Sequence, residues 1–183
     1  MKKYLITSPE FYSDNVKIFA TRFRQYSRAN KIDFALLRDK DTSNYEALAE
    51  IFIATCKECG IKSFLHQDCK LTKKLKADGV HLTSQQFDKI KEAKSLGLEV
   101  IISTHLHTEV CSAKKLGADY VTYSPIFKTP NKGEPKGVED LQKVLKECEI
   151  KVFALGGIVD AVHVKMIEES GAYGFASIRY FVE

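Results

Sequence analysis

A strand followed by a helix is the unit that this chain repeats, and the repetition constrains its fold more than any other feature. Short apolar segments alternate with segments in which apolar residues recur at helical spacing. Three joints from a helix into the next strand resemble one another, and they read ADGV at 77–80, GADYV at 117–121 and GAYGF at 171–175. Because parallel strands need a helical crossover between them, this series predicts a parallel sheet.

Eight strands are predicted, at 4–8, 33–38, 63–66, 79–82, 99–104, 120–126, 152–155 and 174–178. The first helix is expected to be capped by Asp14, and later helices are expected at about 45–59, up to 75, and at 85–96, 108–116, 138–148 and 160–170. Glycines stand where helices should end in a left-handed residue, at Gly60, Gly97, Gly117 and Gly171. Eight such units predict an α/β fold, a TIM (β/α)8 barrel, as a single domain over residues 1–183.

The last helix of this barrel is predicted to be missing or truncated. After the eighth strand and Arg179, which directly follows it, only residues 180–183 remain. The groove between the first and seventh helices would then be uncovered, and a second copy of the chain could cover it. We therefore expect a homo-oligomer.

Composition restricts the partners and the compartment. The net charge is +4 and the lysines are spread along the chain, which favours small anionic ligands and argues against a nucleic-acid partner. No apolar run approaches the roughly 20 residues that span a bilayer, so we expect no membrane partner and a cytoplasmic protein. Five cysteines, an odd number at irregular spacing, predict free thiols in a reducing compartment.

Functional residues of a barrel of this kind lie in the loops that follow the strands. After strand seven, Gly156 and Gly157 would let backbone N–H groups approach an anion, and together with the end of strand eight they predict a phosphate site. A second cationic cluster is expected across the mouth of the barrel, made of Arg38, Lys40 and Lys132. Two anionic sites indicate two phosphorylated groups, or one ligand that is charged at both ends.

Five segments carry a resemblance to a known family. They read LRDK at 37–40, ADGVHL at 77–82, STH at 103–105, SPIFKT at 124–129 and LGGI at 155–158. In order and spacing they are similar to thiamine phosphate synthase and its relative TenI, a thiazole tautomerase.

This resemblance implies a role for several residues. Arg38 and Lys40 would hold the diphosphate of hydroxymethylpyrimidine diphosphate, with Ser103 beside the reacting pyrimidine. The loop that closes over the substrates would contribute Thr129, Asn131 and Lys132. The phosphorylated thiazole would be held by Gly156, Gly157, Ser177 and Ile178. These two phosphorylated compounds are the partners that the resemblance implies.

Two departures from the synthase concern its metal site. In the synthase, the resemblance implies, carboxylates after strands three and four hold Mg²⁺. Here the second position is Gln86, and the first falls at Gln67 when counted back from the ADGVHL segment or at Asp68 when the strand ends are aligned, so Asp68 is the one candidate ligand. Mg²⁺ is therefore expected only if synthase activity is retained, and otherwise no cofactor is expected. These departures favour a TenI-like proton transfer on the thiazole. The synthase is the alternative hypothesis, and a non-catalytic barrel that binds a phosphorylated ligand is a further one.

Histidines are the candidate acids and bases for a proton transfer. The TenI histidine of the strand-six loop is replaced by Pro125, so His66, His105 and His107 take its place as candidates, with Glu134 as another. A zinc hydrolase built on His105 and His107 is a separate hypothesis, although no third ligand is evident. His81 lies inside a strand and is expected to serve in packing.

Overall fold

Eight parallel strands close into a barrel in the computed structural model, which describes residues 1–182. The strands are β1 Lys2–Ile6, β2 Phe34–Leu37, β3 Lys62–His66, β4 Gly79–Leu82, β5 Glu99–Thr104, β6 Tyr120–Tyr123, β7 Lys151–Leu155 and β8 Gly174–Ser177. Each strand pairs with the next one in sequence, and β8 returns to β1, where Leu5 lies opposite Ser177. The predicted TIM barrel is confirmed.

Helices surround the barrel. They are α1 Pro9–Tyr12, α2 Val16–Ala29, α3 Tyr45–Cys59, α4 Cys69–Leu75, α5 Ile90–Ser95, α6 His107–Leu116, α7 Gly137–Glu147 and α8 Ala161–Ser170, with short 3-10 turns at Phe87–Lys89 and Arg179–Phe181. The cap of α2 is Asn15 and not Asp14, since the Asn15 side chain accepts hydrogen bonds from the N–H groups of Lys17 and Ile18. Sequence pattern and structure differ here by one residue, because either side chain can serve as a cap.

The glycines that end four helices adopt the left-handed conformation that the sequence predicts. Their φ angles are +68° at Gly60, +77° at Gly97, +97° at Gly117 and +82° at Gly171. A residue with a Cβ is disfavoured there, so these glycines fix the direction in which the chain leaves each helix.

Aromatic side chains fill the inside of the barrel. Tyr4, Phe34, Phe64, Tyr120 and Phe153 form one buried cluster together with smaller aliphatic residues. A second cluster of buried residues lies between the strands and the helices. Because this cluster fills the lower part of the barrel interior, a ligand can enter the interior from above the cluster, at the carboxyl ends of the strands.

Within residues 1–182, the 3-10 turn Arg179–Phe181 follows β8, at the place where a barrel of this type carries its last helix. Phe181 is buried and stacks on Phe175 with ring centroids 5.7 Å apart. The side chain of Asn30, directly after α2, donates a hydrogen bond to the carbonyl oxygen of Phe181. The turn therefore fills part of the gap between α2 and α8, while Ile18 and Met166 on those helices remain 44% and 40% exposed.

One pair of cysteines overturns the prediction of free thiols. Cys111 in α6 and Cys148, directly after α7, form a disulfide. They are 37 positions apart, and only the side-by-side packing of α6 and α7 brings them together, so spacing gave no signal. Cys56, Cys59 and Cys69 are free thiols.

Within residues 1–182, no helix is both long enough and apolar enough to cross a membrane.

Candidate functional site

A small cavity lies between the loop after β7 and the turn after β8. Its volume is about 100 Å³, which suits a group of a few atoms such as a phosphate. Its lining includes the four residues that were predicted to bind the phosphate, Gly156, Gly157, Ser177 and Ile178. Thr129 and Arg179 also line it. The structure thus brings together residues from three different loops at the place that the sequence predicts.

Gly156 and Gly157 are required because the loop after β6 packs directly against them. Their φ angles are +103° and +70°. A Cβ on Gly156 would lie 2.8 Å from the Cα of Pro125, and one on Gly157 would lie 2.7 Å from the carbonyl oxygen of Lys128. The loop after β6 therefore rests directly on the backbone after β7, and the two form a common wall of the cavity.

Two hydroxyl groups at the cavity hold its loops in place. Ser177 Oγ donates a 2.7 Å hydrogen bond to the carbonyl oxygen of Ile158 and accepts one from the N–H of Tyr180. Thr129 Oγ1 donates to the carbonyl oxygen of Phe127 over 2.9 Å. Both side chains thus already have protein partners, and they shape the cavity as well as lining it.

Arg179, which was not among the predicted binding residues, supplies the positive charge at this cavity. It is exposed, and no carboxylate among residues 1–182 forms an ion pair with it. The available signal in the sequence was its place directly after the eighth strand.

Arg38, Lys40 and His66 lie together on the opposite side of the mouth. Arg38 begins the loop after β2, and its N–H donates to Thr7 Oγ1 over 2.9 Å. Burial lowers the pKa of His66 to about 4, with smaller contributions from the charges of Arg38 and Lys40. His66 is therefore neutral at pH 7 and can accept a proton or a hydrogen bond beside two cations.

A hydrogen-bonded chain crosses the barrel interior below the mouth. Tyr4 Oη lies 2.7 Å from His81 Nδ1, and His81 Nε2 lies 2.9 Å from Ser103 Oγ. Burial lowers the pKa of His81 to about 3, with smaller contributions from His66 and Arg38. His81 packs in the interior as expected, since it is buried and its ring stacks on that of Tyr4, and it also has two hydrogen bonds that the sequence did not predict. The signal was its position between Val80 and Leu82, which face the helices and leave His81 facing the interior.

His105 ties the end of β5 to the loop after β6. Its Nδ1 donates to the carbonyl oxygen of Ser124 over 3.1 Å, and its backbone N–H donates to Glu109 Oε2 over 2.6 Å. The Ser124–Pro125 peptide bond that follows is cis. With the proton on Nδ1, the Nε2 atom of His105 is the nitrogen that could accept a proton from a ligand.

His107 does not join the mouth residues, contrary to its proposed role as an acid or base there. It is the first residue of α6, and its ring lies between Glu147 Oε2, at 2.5 Å, and Asp140 Oδ1, at 3.1 Å. The hydrogen bond to Glu147 is the main cause that raises its pKa. Tyr123 Oη also donates to Asp140, so the cluster joins α6 to α7 on the outside of the barrel.

The proposed zinc pair of His105 and His107 is not assembled. The two rings hydrogen-bond to different elements, since a strand end carries one and a helix start carries the other. Residues 1–182 contain no group of three or more His, Cys, Asp or Glu side chains able to hold a metal ion.

Asn131 and Lys132 lie in the exposed loop after β6. Asn131 adopts a φ of +58°, and the N–H of Lys132 donates to the carbonyl oxygen of Thr129. Residues 128–135 surround an open cavity of about 620 Å³. The Lys132 side chain stands in solvent and has no carboxylate partner in the part of the chain that is described.

The residues after β3 and β4 do not fit a Mg²⁺ site. Asp68 uses Oδ1 to cap α4, accepting from the N–H of Leu71 over 2.8 Å. The Gln86 amide oxygen accepts from the N–H of Thr83, and its amide nitrogen donates to the carbonyl oxygen of Gln67. Neutral amides are poor ligands for Mg²⁺. The other carboxylate that lines the same hollow of about 300 Å³, Glu92, forms an ion pair with Lys89 over 3.0 Å.

A comparison with known proteins identifies the family. The sequence model of a family described as thiamine monophosphate synthase matches residues 3–181 of the chain. The chain belongs to this family. A putative thiamine-phosphate synthase 2 from Aquifex aeolicus is 31% identical over 98% of this chain and 97% of that protein. The thiamine-phosphate synthase of Halalkalibacterium halodurans is 30% identical over 98% of this chain and 86% of that enzyme.

Solved structures support the fold. A thiamine phosphate pyrophosphorylase from Pyrococcus furiosus superposes with a TM-score of 0.82 at 23% identity, and the match covers 97% of this chain and 85% of that one. The family that the sequence motifs predicted is thus confirmed, and so is the prediction that the chain belongs to a family of enzymes. Both relatives are described by name as thiamine-phosphate synthases, the first as a putative one, and these names support the synthase hypothesis better than the tautomerase hypothesis.

Proposed function

We propose that this chain is a thiamine-phosphate synthase, which joins hydroxymethylpyrimidine diphosphate to a phosphorylated thiazole. The observation that carries the proposal is the presence of two positively charged sites across one barrel mouth. One is the cavity at Gly156 and Gly157 with Arg179 on its rim, and the other is the pair Arg38 and Lys40. The names of the relatives support the same reaction.

The reaction breaks the carbon–oxygen bond to the diphosphate and forms a carbon–nitrogen bond to the thiazole. Arg38 and Lys40 bind the diphosphate and stabilise the negative charge that develops on it as it leaves. Lys132 adds a further positive charge when the loop after β6 meets the substrates, with Thr129 and Asn131 beside it. The cavity with Gly156, Gly157, Ser177 and Ile178 holds the thiazole phosphate, and Ser103 hydrogen-bonds to the pyrimidine.

No step of this reaction is assigned to Mg²⁺, because Asp68 is committed to a helix cap and Gln86 brings no charge. The expected consequence is a synthase with a weak dependence on Mg²⁺.

A tautomerase is the second candidate. Asp68 and Gln86 favour it, because neither side chain is placed to bind a metal and a tautomerase needs none. A proton shift on the phosphorylated thiazole needs a phosphate site and a base but no metal. His66 is neutral at pH 7 and can serve as the base, and His105, whose Nδ1 donates to the carbonyl oxygen of Ser124, is the second candidate.

We further propose that residues 1–183 act as one domain in the cytoplasm, as a homo-oligomer. Ile18 and Met166, exposed on either side of the turn that follows β8, support a second copy at that face.

Single-turnover ³¹P NMR tests these functions. The protein would be mixed with the pyrimidine diphosphate and the phosphorylated thiazole, once with Mg²⁺ and once with EDTA. We expect free diphosphate in both samples, and at similar rates. Release only with Mg²⁺ would contradict the metal assignment, and no release in either sample would exclude the synthase.

If no diphosphate is released, exchange of the thiazole proton in deuterated water separates the remaining hypotheses. Exchange that is lost in His66→Gln or His105→Gln identifies a tautomerase and its base. Tight binding without exchange identifies a barrel that only binds the phosphorylated ligand.

A further inference from the structure

The buried chain from Tyr4 through His81 to Ser103 has one end in the barrel core and the other at the mouth. Tyr4 is fully buried, and its ring packs against Phe34, Phe64 and Phe153. Ser103, at the far end, is half-buried. The synthase mechanism above uses Ser103 and assigns no role to the other two residues.

Tyr4, the buried end of this series of hydrogen bonds, determines which atom donates in each of them. Within residues 1–182, the phenol of Tyr4 has one hydrogen-bond partner, His81 Nδ1. If Nδ1 carried the proton, the phenol hydrogen would have no acceptor in an apolar cluster, which is unfavourable. The phenol therefore donates to Nδ1. Because His81 is neutral, its single ring proton is then on Nε2 and is donated to Ser103 Oγ.

This direction determines what Ser103 can do. Its oxygen already accepts from His81, so its own proton points to a different partner. The described part of the chain offers that proton no acceptor besides the ring of His81. His81 also cannot act as a base toward Ser103, because its Nε2 carries the proton.

We propose that Tyr4 is a positioning residue, which holds His81 in the Nε2–H form and so makes Ser103 a hydrogen-bond donor to an acceptor atom on the heteroaromatic ring of the ligand. Thr122 supports a ligand at this point. It lies opposite Ser103 in the register of β5 and β6, and its hydroxyl is fully buried without a partner. Tyr120, two residues earlier on the same face of the strand, lies in the interior cluster, so Thr122 also faces the interior.

The first test reads the proton position directly and does not depend on the proposed function. Protein labelled with ¹⁵N at histidine would be examined by NMR at pH 7, with His81→Gln to assign the ring. We expect His81 to be in the Nε2–H form in the wild type and in a mixture of both forms in Tyr4→Phe. Tyr173→Phe, which removes a phenol at the opposite end of the interior, should leave the spectrum unchanged.

A proton on Nδ1 in the wild type would overturn the inference, and so would an unchanged His81 spectrum in Tyr4→Phe. The wild-type spectrum alone decides the point if Tyr4→Phe does not fold.

The second test concerns the ligand and rests on the proposed function. We expect the KM for the pyrimidine diphosphate to rise about tenfold in Tyr4→Phe and in Ser103→Ala, and no further in the double variant, because the two residues act through one hydrogen bond. Affinity for inorganic phosphate should stay the same in all three. Additive effects in the double variant would contradict the inference. If the wild type releases no diphosphate, the proposed function fails, while the NMR result still decides the role of Tyr4.

Discussion

The structure needs a glycine at position 157 for two reasons. The backbone there is left-handed, and the loop after β6 leaves no space for a Cβ atom. We expect Gly157→Ala to lower the free energy of unfolding by roughly 3 kcal/mol, of which about 1 kcal/mol comes from the backbone conformation and the rest from overlap with the loop after β6. Urea unfolding measures the loss. Gly97→Ala is the matched control, because Gly97 has a similar φ of +77° and a Cβ added there would meet nothing within 4 Å.

Equal losses in Gly157→Ala and Gly97→Ala would show that the loop after β6 yields without cost. The common wall of the phosphate cavity would then be soft, contrary to the packing described above.

Arg38 and Arg179 belong to different anion sites, so their substitutions should separate two binding events. We expect Arg179→Gln to weaken the binding of inorganic phosphate about tenfold, since a hydrogen bond between two charged groups is lost. Arg38→Gln should instead weaken the binding of inorganic diphosphate and leave phosphate binding as it was. Isothermal titration measures both. Lys115→Gln, an exposed change on α6, is the control for net charge. Parallel losses in the two arginine variants would contradict two separate sites.

Helices α6 and α7 are joined by a covalent bond and by an ionic cluster around His107. We expect the double variant Cys111→Ser with Cys148→Ser to lower the free energy of unfolding of the oxidised protein by about 2–4 kcal/mol, because the disulfide restricts the unfolded chain. Chemical unfolding with and without a reductant measures this. The reductant should destabilise the wild type and leave the double variant unchanged. A wild type that is insensitive to the reductant would contradict a stabilising disulfide.

Elements with strong local signals were predicted well from the sequence, and their side-chain partners were not. The glycines after four of the helices supported the count of eight units, because a left-handed residue ends each of these helices. The strand predicted at 120–126 ends at Tyr123, since Pro125 has no N–H group to donate to a neighbouring strand. His105 and His107 stand two positions apart in sequence but face different elements, because the strand ends and the helix begins between them.

The candidate site was predictable in its location and less so in its contacts. Barrel topology places every loop that follows a strand at one mouth, which is why Arg38 and Gly157 could be assigned to it from the sequence. The role of Asp68 as a helix cap depends on where α4 begins, and the partner of His81 is 77 positions away at Tyr4. Contacts over such distances in sequence leave no local pattern.

The molecule as a whole should lose stability in acid through its buried histidines. His66 and His81 have pKa values of about 4 and about 3 in the folded state, against about 6.5 when unfolded. Between these values the unfolded chain binds more protons, so the free energy of unfolding rises with pH. The contribution is fully present above about pH 6.5 and is lost as the pH falls toward the folded values.

Urea unfolding at a series of pH values checks this expectation. Between about pH 6 and 4, the wild type should lose about 1.4 kcal/mol per pH unit more than His81→Gln, the change expected for one proton. His107 acts in the opposite direction in both proteins, because Glu147 and Asp140 raise its pKa, and its contribution cancels in the comparison. Parallel pH profiles for the two proteins would mean that His81 is protonated in the folded barrel.

The pairing of β1 with β8 bears on how the protein is made. β1 is synthesised before the other strands of the barrel, but its second neighbour is complete only when residue 177 has been added. Until then one edge of β1 offers N–H and C=O groups to any passing strand. Lys2 and Lys3 begin that strand, and their charges hinder the approach of another nascent chain. Positive charge at the start of β1 therefore disfavours edge-to-edge association of two copies as long as β8 has not paired with β1.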